Sequence, residues 1–278
     1  MATNPQLLKR RIKTAKNIAQ ISKAMEMISA SKIKKAQNKV LNNKPYAQKI
    51  VTLTSSLLHN TDKSSLSNPF LRIPDMEKKS LIIIISPDKG LCGSLNTYIT
   101  KKILELSVPN TKIVAVGKKA EQFCIRMGFE VLGVFPMGSS IPSYNHVYNI
   151  IQIIQKEYNE NNISSVKLLY ARFNSVFSQE VHVADLLPIP VAQIESVPEY
   201  LYEPNMHDII SDLLPYYIEV QLYHSILEAH TSEQAARMVA MQNAKNNALD
   251  IADALTLSYN KSRQERITNE ILGLANNI

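Results

Sequence analysis

Two long stretches of this chain, residues 6–44 and 216–272, contain neither glycine nor proline. They constrain the fold more than any motif does. A helix interior excludes these residue types at a cost of about 1 and 3 kcal/mol per residue. An all-β chain needs them at its turns. The two stretches therefore predict a long helix at each end. The middle must fold differently, because six of the seven glycines (Gly90, Gly93, Gly117, Gly128, Gly133, Gly138, but not Gly273) crowd into residues 90–138.

The first helix reads from Pro5, with Thr3 or Asn4 as its cap. Its apolar positions are Leu8, Ile12, Ala15, Ile18, Met25, Ile28, Ala36, Val40, Ala47, Ile50, Leu53 and Leu57. Most steps are three, four or sums of these, which marks one narrow stripe. Pro45 should kink this helix without ending it. The last helix reads from about Met206 to Asn276, with Pro215 bending its first turns and His224 and Lys245 interrupting its stripe. At about 1.5 Å per residue, each helix would extend on the order of 80–100 Å. No compact body can bury a stripe of that length. The simplest solution packs the two helices together as an antiparallel coiled coil. The expected form is a rod with a knob.

The middle alternates strand and helix. Strands read at Leu81–Ser86, Lys112–Val116, Val131–Phe135 and Val166–Phe173, with helices near 96–107, 118–127 and 142–160 between them. This βαβαβαβ order predicts a mainly parallel, Rossmann-like sheet with helices on both faces. A further strand, Glu180–Leu187, follows after six residues, too few for a parallel crossover, so it should pair antiparallel. The fold class is α/β, with an N-terminal coiled-coil helix over 1–58, an α/β domain over 78–190 and a C-terminal coiled-coil helix over 206–278.

Charge divides the chain. Residues 1–50 hold twelve Lys/Arg and one acid, Glu26, a net +11, while the whole chain is +7. A basic end on an otherwise mildly acidic chain points to an anionic partner surface. Ten cations, including Lys9, Arg10, Lys13, Lys32 and Lys35, lie between residues 9 and 39. Nucleic acid, an acidic membrane or an acidic protein would each fit them, and so would plain solvation of a helix face. Two cysteines, Cys92 and Cys124, make no disulfide framework. The longest purely aliphatic run, Leu81–Ile85, is too short to span a bilayer. No signal peptide is apparent at the N-terminus.

Signals for catalysis are weak. The loop SPDKGLCGSLN (86–96) lies where a Rossmann fold binds phosphate, yet G-x-G-x-x-G and the P-loop pattern are both absent. Cys92 stands near a nucleophile elbow, with His146 and His182 as conceivable bases, but buried packing is the favoured reading. The six histidines show no metal-ligand spacing. No catalytic, cofactor or metal site is assigned. A basic coiled-coil binder of nucleic acid or membrane surfaces, and a cysteine- or nucleotide-dependent enzyme, stay open from the residues alone.

Three segments carry a resemblance. ISKAMEMISASKIKKAQ (21–37) followed by Pro45-Tyr46-Ala47, the loop SPDKGLCGSLN (86–96), and SEQAARMVAM (232–241) with YNKSRQERIT (259–268) resemble the γ subunits of F-type ATP synthases. Departures are Ser94 where the family usually has Gly, Lys245-Asn246 in place of Thr-Asp, an atypical tail from Gly273, and no inserted cysteine segment. The resemblance implies a central rotor shaft without bond chemistry of its own. It would join the α3β3 hexamer, the ε subunit and a proton-driven c-ring. It places rotor contacts at Lys9, Arg10, Lys13, Met25, Lys32, Lys35, Arg237, Arg263, Gln264, Thr268 and Glu270. It places a foot contact with the c-ring or ε at Tyr200, Tyr202 and Glu203, and an apolar bearing at Ile267, Ile271 and Leu274. A peripheral position on the cytoplasmic side of a bacterial membrane is expected, the mitochondrial matrix face being the alternative.

Overall fold

Five consecutive aliphatic side chains, Leu81–Ile85, lie at the centre of the fold, each at most 3% exposed. They belong to β1 (Lys79–Ile85), the middle strand of five in the computed structural model, which describes residues 5–59, 69–71, 75, 78–106, 111–190, 203 and 205–275. The other strands are β2 (Thr111–Val116), β3 (Glu130–Phe135), β4 (Ile163–Phe173) and β5 (Gln179–Leu187). The helices are α1 (Pro5–His59), α2 (Leu95–Leu106), α3 (Lys118–Arg126), α4 (Asn145–Asn159) and α5 (Met206–Ala275). The capping positions Thr3 and Asn4 lie outside the described residues.

Strand order is β3-β2-β1-β4-β5. β1 pairs parallel with β2 and β4, β2 pairs parallel with β3, and β5 closes the sheet antiparallel to β4. The short link from Phe173 to Gln179 forces that last reversal, as its length predicts. A strand buried on both faces needs apolar residues at every position, and β1 divides its five between two cores. Leu81, Ile83 and Ile85 point into one core, with α4 and the inner parts of α1 and α5. Ile82 and Ile84 point into the other, with α2 and α3. Each fully buried aliphatic side chain contributes roughly 1.5–3 kcal/mol.

The chain forms two compact units. One contains residues 31–236, with the sheet, α2–α4 and the inner parts of both long helices. The other contains 1–30 and 237–278, where the outer parts of α1 and α5 pair antiparallel. In the sheet unit, Ile50, Leu57 and Leu58 of α1 and Ile210, Leu214, Ile218, Leu222 and Ile226 of α5 join the core beneath the sheet. α5 is so deeply set there that every residue from Ser225 to Ala235 is buried, polar ones included. Some of the polar groups in and beside this stretch find local partners, while Ser232 Oγ has no hydrogen-bond partner among the described residues. Thr231 Oγ1 donates to the Leu227 carbonyl at 2.8 Å, and His224 Nε2 lies 3.5 Å from Glu228 Oε1.

The parallel strands end in a tight junction. Gly117, just after β2, has φ +100°, and a Cβ there would come within 1.9 Å of the Ser86 carbonyl oxygen. Its own N–H donates to the Phe135 carbonyl at 2.7 Å. Ser86 Oγ in turn accepts the Ala120 N–H at 2.8 Å, tying β1 to the first turn of α3. Gly117→Ala should destabilise the chain by about 3 kcal/mol or more, from strain and overlap together, as measured by urea unfolding. Burial also favours neutral acids in these cores. Desolvation pushes the Cys124 thiol up to about 11 and the Tyr217 hydroxyl up to about 12. The folded chain holds these protons more tightly, so their contribution is complete below about pH 9 and is lost as pH rises towards about 12. Urea midpoints measured from pH 8 to 12 should fall across that window, and Cys124→Ala should remove the part of the loss below about pH 11.

Candidate functional site: the outer helix pair and its exposed faces

The outer helices meet along a seam of small residues. On α1, Leu8, Ile12, Ala15, Ala19, Ser22, Glu26 and Ser29 recur at alternating steps of four and three, and all are buried or half-buried. On α5, Met241, Lys245, Ala248, Ala252, Leu255, Tyr259 and Ser262 do the same. A mean step of 3.5 is the repeat of a left-handed coiled coil. Alanine and serine let the two backbones approach closely. This corrects the stripe expected from the sequence, since Ile18 and Ile28 are 48% and 52% exposed and lie outside the seam. The larger side chains were taken for the contact, whereas Ala19, Ser22 and Ser29 make it.

One polar pair bridges the seam. Lys245 Nζ donates to Glu26 Oε2 at 2.8 Å, with both side chains about one-fifth exposed. The single acid in the first fifty residues thus faces a lysine that had looked like an interruption. Both occupy seam positions, so the pair fixes the register of one helix against the other.

The seam gives α1 two unlike shoulders. Lys9, Lys13, Lys16 and Lys23 follow one another at helical spacing on one side, all exposed. Leu7, Ile18, Ile21 and Ile28 line the other side, each 44–65% exposed, with exposed Arg11 between the first two. Arg10 is exposed beside the basic row, and Met25 is half-buried in the apolar one. The sequence pointed to the basic row. It hid the apolar row by assigning part of it to the seam, and a strict search for the 3.5-residue repeat would have separated them.

Past Ser262, α5 changes character, for every side chain from Arg263 to Leu272 is exposed. Arg263, Gln264 and Thr268 share a turn and a half there, with Thr268 Oγ1 donating to the Gln264 carbonyl at 3.0 Å. Glu270 is paired with Arg266 at 3.3 Å. Ile267 and Ile271 are exposed, and the side chain of Leu274 lies outside the described residues. Arg237, by contrast, is 7% exposed. Lys32 and Lys35 belong to the sheet unit. Lys35 is exposed, while Lys32 is half-buried and donates to the Ser139 carbonyl at 2.7 Å. Of the foot residues, Glu203 is exposed, and Tyr200 and Tyr202 lie outside the described residues.

In the sheet unit, the loop after β1 carries a carboxylate that bonds to the backbone after β2 and β3. Asp88 Oδ1 accepts the Lys118 N–H at the start of α3 (3.0 Å) and the Met137 N–H (3.3 Å), and Oδ2 accepts the Gly138 N–H (2.8 Å). Cys92 is 2% exposed among Ile82, Ile84 and Leu95, which supports packing over nucleophilic work. A shallow groove of about 330 Å³ between α2 and β5 is lined by Lys101, Lys102, Glu105 and Glu180, and there Lys102 is already paired with Glu105 at 2.8 Å. Among the described residues, no cluster of His, Cys, Asp and Glu has metal-binding geometry, and no helix is long and apolar enough to cross a membrane.

Known proteins match this architecture along its length. The family described as ATP synthase matches residues 4–276. The ATP synthase gamma chain of Dehalococcoides mccartyi (strain CBDB1) is 39% identical over 279 aligned residues, covering 98% of this chain and 96% of that protein. That of Opitutus terrae is 36% identical, covering 96% and 95%. Among solved structures, the central stalk and c-ring of Tetrahymena thermophila mitochondrial ATP synthase contains a chain with TM-score 0.62 and 25% identity, covering 81% of this chain and 99% of that one. A chain of the Euglena gracilis mitochondrial ATP synthase rotor reaches TM-score 0.69 at 18% identity, a likeness of fold, covering 95% and 98%.

The seam pair gives a direct test of register control. Lys245→Ala should cost ~1–3 kcal/mol, because it leaves the Glu26 carboxylate half-buried without its cation. Replacing both residues by leucine should recover most of that loss, with urea unfolding as the measurement.

Proposed function

The chain belongs to the ATP synthase γ-chain family, and on that premise we propose that it is the central shaft of a rotary, proton-translocating ATP synthase. It transmits the turning of a c-ring to the nucleotide sites of an α3β3 hexamer and makes no bonds itself. Its place is the cytoplasmic face of a bacterial membrane, held there by its partners, ε among them. The observation that carries this reading is the inequality of the outer helix pair, basic on one shoulder and apolar on the other. A shaft with identical faces would treat three surrounding sites alike at every angle. A lopsided one presents each site with a different surface as it turns.

The residues divide by chemistry. Lys9, Arg10 and Lys13 on one face, and Lys35 in phase with Ile28, attract acidic loops of the hexamer through Coulomb interactions of roughly 1–4 kcal/mol per close pair. Lys32 has two further N–H donors beyond the one given to Ser139 and can join them. Met25 and Arg237 flank the same contact. Arg263 and Gln264, supported by Thr268 and Glu270, form a catch, since a guanidinium holds a carboxylate by two parallel hydrogen bonds. Exposed Ile267 and Ile271 suit a bearing, where non-directional apolar contact permits sliding. Tyr200, Tyr202 and Glu203 form the foot. The match to γ chains along the whole length favours this reading over a basic nucleic-acid or membrane binder.

Co-expression with the α and β subunits tests the proposal. The chain should co-purify with both and be required for their steady ATP hydrolysis; a hexamer equally active without it would overturn the reading. Arg263→Ala should lower that hydrolysis about tenfold, as expected for loss of a charge-assisted contact, while leaving the circular dichroism of the chain unchanged.

A further inference from the structure

Each long helix has one proline in its interior, and a tyrosine follows each: Pro45-Tyr46 in α1 and Pro215-Tyr216 in α5. Although 170 residues apart, the two tyrosine hydroxyls are hydrogen-bonded to each other. Their rings meet edge to face, with centroids 6.2 Å apart and planes at 77°. The two prolines therefore lie at a similar level along the paired helices within the sheet unit. A proline has no N–H to give to the helix ladder, so each helix lacks one ladder donor here. Both helices are thus weakened at the same level.

Neighbouring packing weakens it further. Asn43 falls at a seam position of α1, and its Nδ2 is buried without a hydrogen-bond partner among the described residues. Gln221 Nε2, six residues past Pro215, is in the same condition. An unsatisfied buried amide contributes nothing to holding the turn and costs desolvation. Just beyond, α5 is fastened. Tyr144 OH donates to Glu219 Oε2 at 2.7 Å, the Tyr144 and Tyr223 rings meet 5.2 Å apart, and Tyr223 OH donates to the Pro142 carbonyl at 3.4 Å. A soft turn in both helices thus abuts a firm anchorage to the start of α4.

We propose that Pro45-Tyr46 and Pro215-Tyr216 form a clasped hinge, the one level at which both long helices yield together, held shut by the bond between the two tyrosine hydroxyls. The tyrosines are 45% and 38% exposed, so water can take over either hydroxyl when the clasp opens. The helix pair bends at this level as a unit because the clasp couples its halves. The inference does not depend on the shaft reading. On that reading, the hinge is where the shaft complies.

Hydrogen–deuterium exchange on the full chain tests it. Tyr46→Phe and Tyr216→Phe keep both rings and remove one hydroxyl each. Either should speed amide exchange about fivefold to tenfold, the worth of one hydrogen bond, in residues 41–50 and 211–220 alike. Residues 79–85 of β1 should not change, and the double variant should exchange no faster than the single ones. Adding Pro45→Ala to Tyr46→Phe should slow residues 41–50 again by restoring the helix bond. Unchanged exchange, an increase confined to the substituted helix, multiplying effects in the double variant, or no response to the alanine would each overturn the hinge. None of these outcomes bears on whether the chain turns inside an ATP synthase, which the hydrolysis assay decides.

Discussion

A helix of 55 residues cannot stand in water with an apolar stripe along its side, and that constraint organises this molecule. From Leu8 to Leu57, α1 keeps a seam at alternating steps of four and three without a slip. In the outer unit the seam is answered by α5, through alanine, serine and the Glu26–Lys245 pair. In the sheet unit the same stripe is answered by the core, through Ile50 and Leu57. One sequence repeat therefore serves two kinds of partner. The residue sizes change with the partner, small where a second helix lies close and larger where side chains fill the space beneath a sheet.

The sheet unit has the strand order and crossovers of a nucleotide-binding fold, but its chemistry has been turned inward. Asp88 accepts three backbone N–H groups, and Ser86 Oγ accepts one from the first turn of α3. These bonds join the ends of β1, β2 and β3 to α3. The surfaces differ around the outer pair because a seam divides a helix into two shoulders that can be furnished independently.

Much of this was legible in the residues. The breaker-free stretches gave the two long helices, the glycine-rich middle gave a parallel sheet, and the six-residue link before Glu180 gave the antiparallel edge. The basic row at Lys9 and Lys13 was legible because charge on a long helix is seldom buried. The seam was only partly so. Ile18 and Ile28 outrank Ala19 and Ser22 in hydrophobicity, so a reading that follows apolar residues drifts onto the exposed shoulder. Lys245 read as a flaw because its partner is 219 residues away. The pairing of Tyr46 with Tyr216 was illegible for the same reason.

What the sequence determined by itself is what depends on neighbours along the chain. Periodicity, breakers and link length are local, and they set which segments are helix, which are strand, and which link turns back. What only the tertiary structure decided is what depends on contact across the chain. It decided which face of α1 is covered, that Glu26 meets Lys245, that Asp88 binds the backbone after β2 and β3, and that two prolines share one level. Those outcomes rest on distances between residues far apart in sequence, fixed only when the sheet and the helix pair have closed around them.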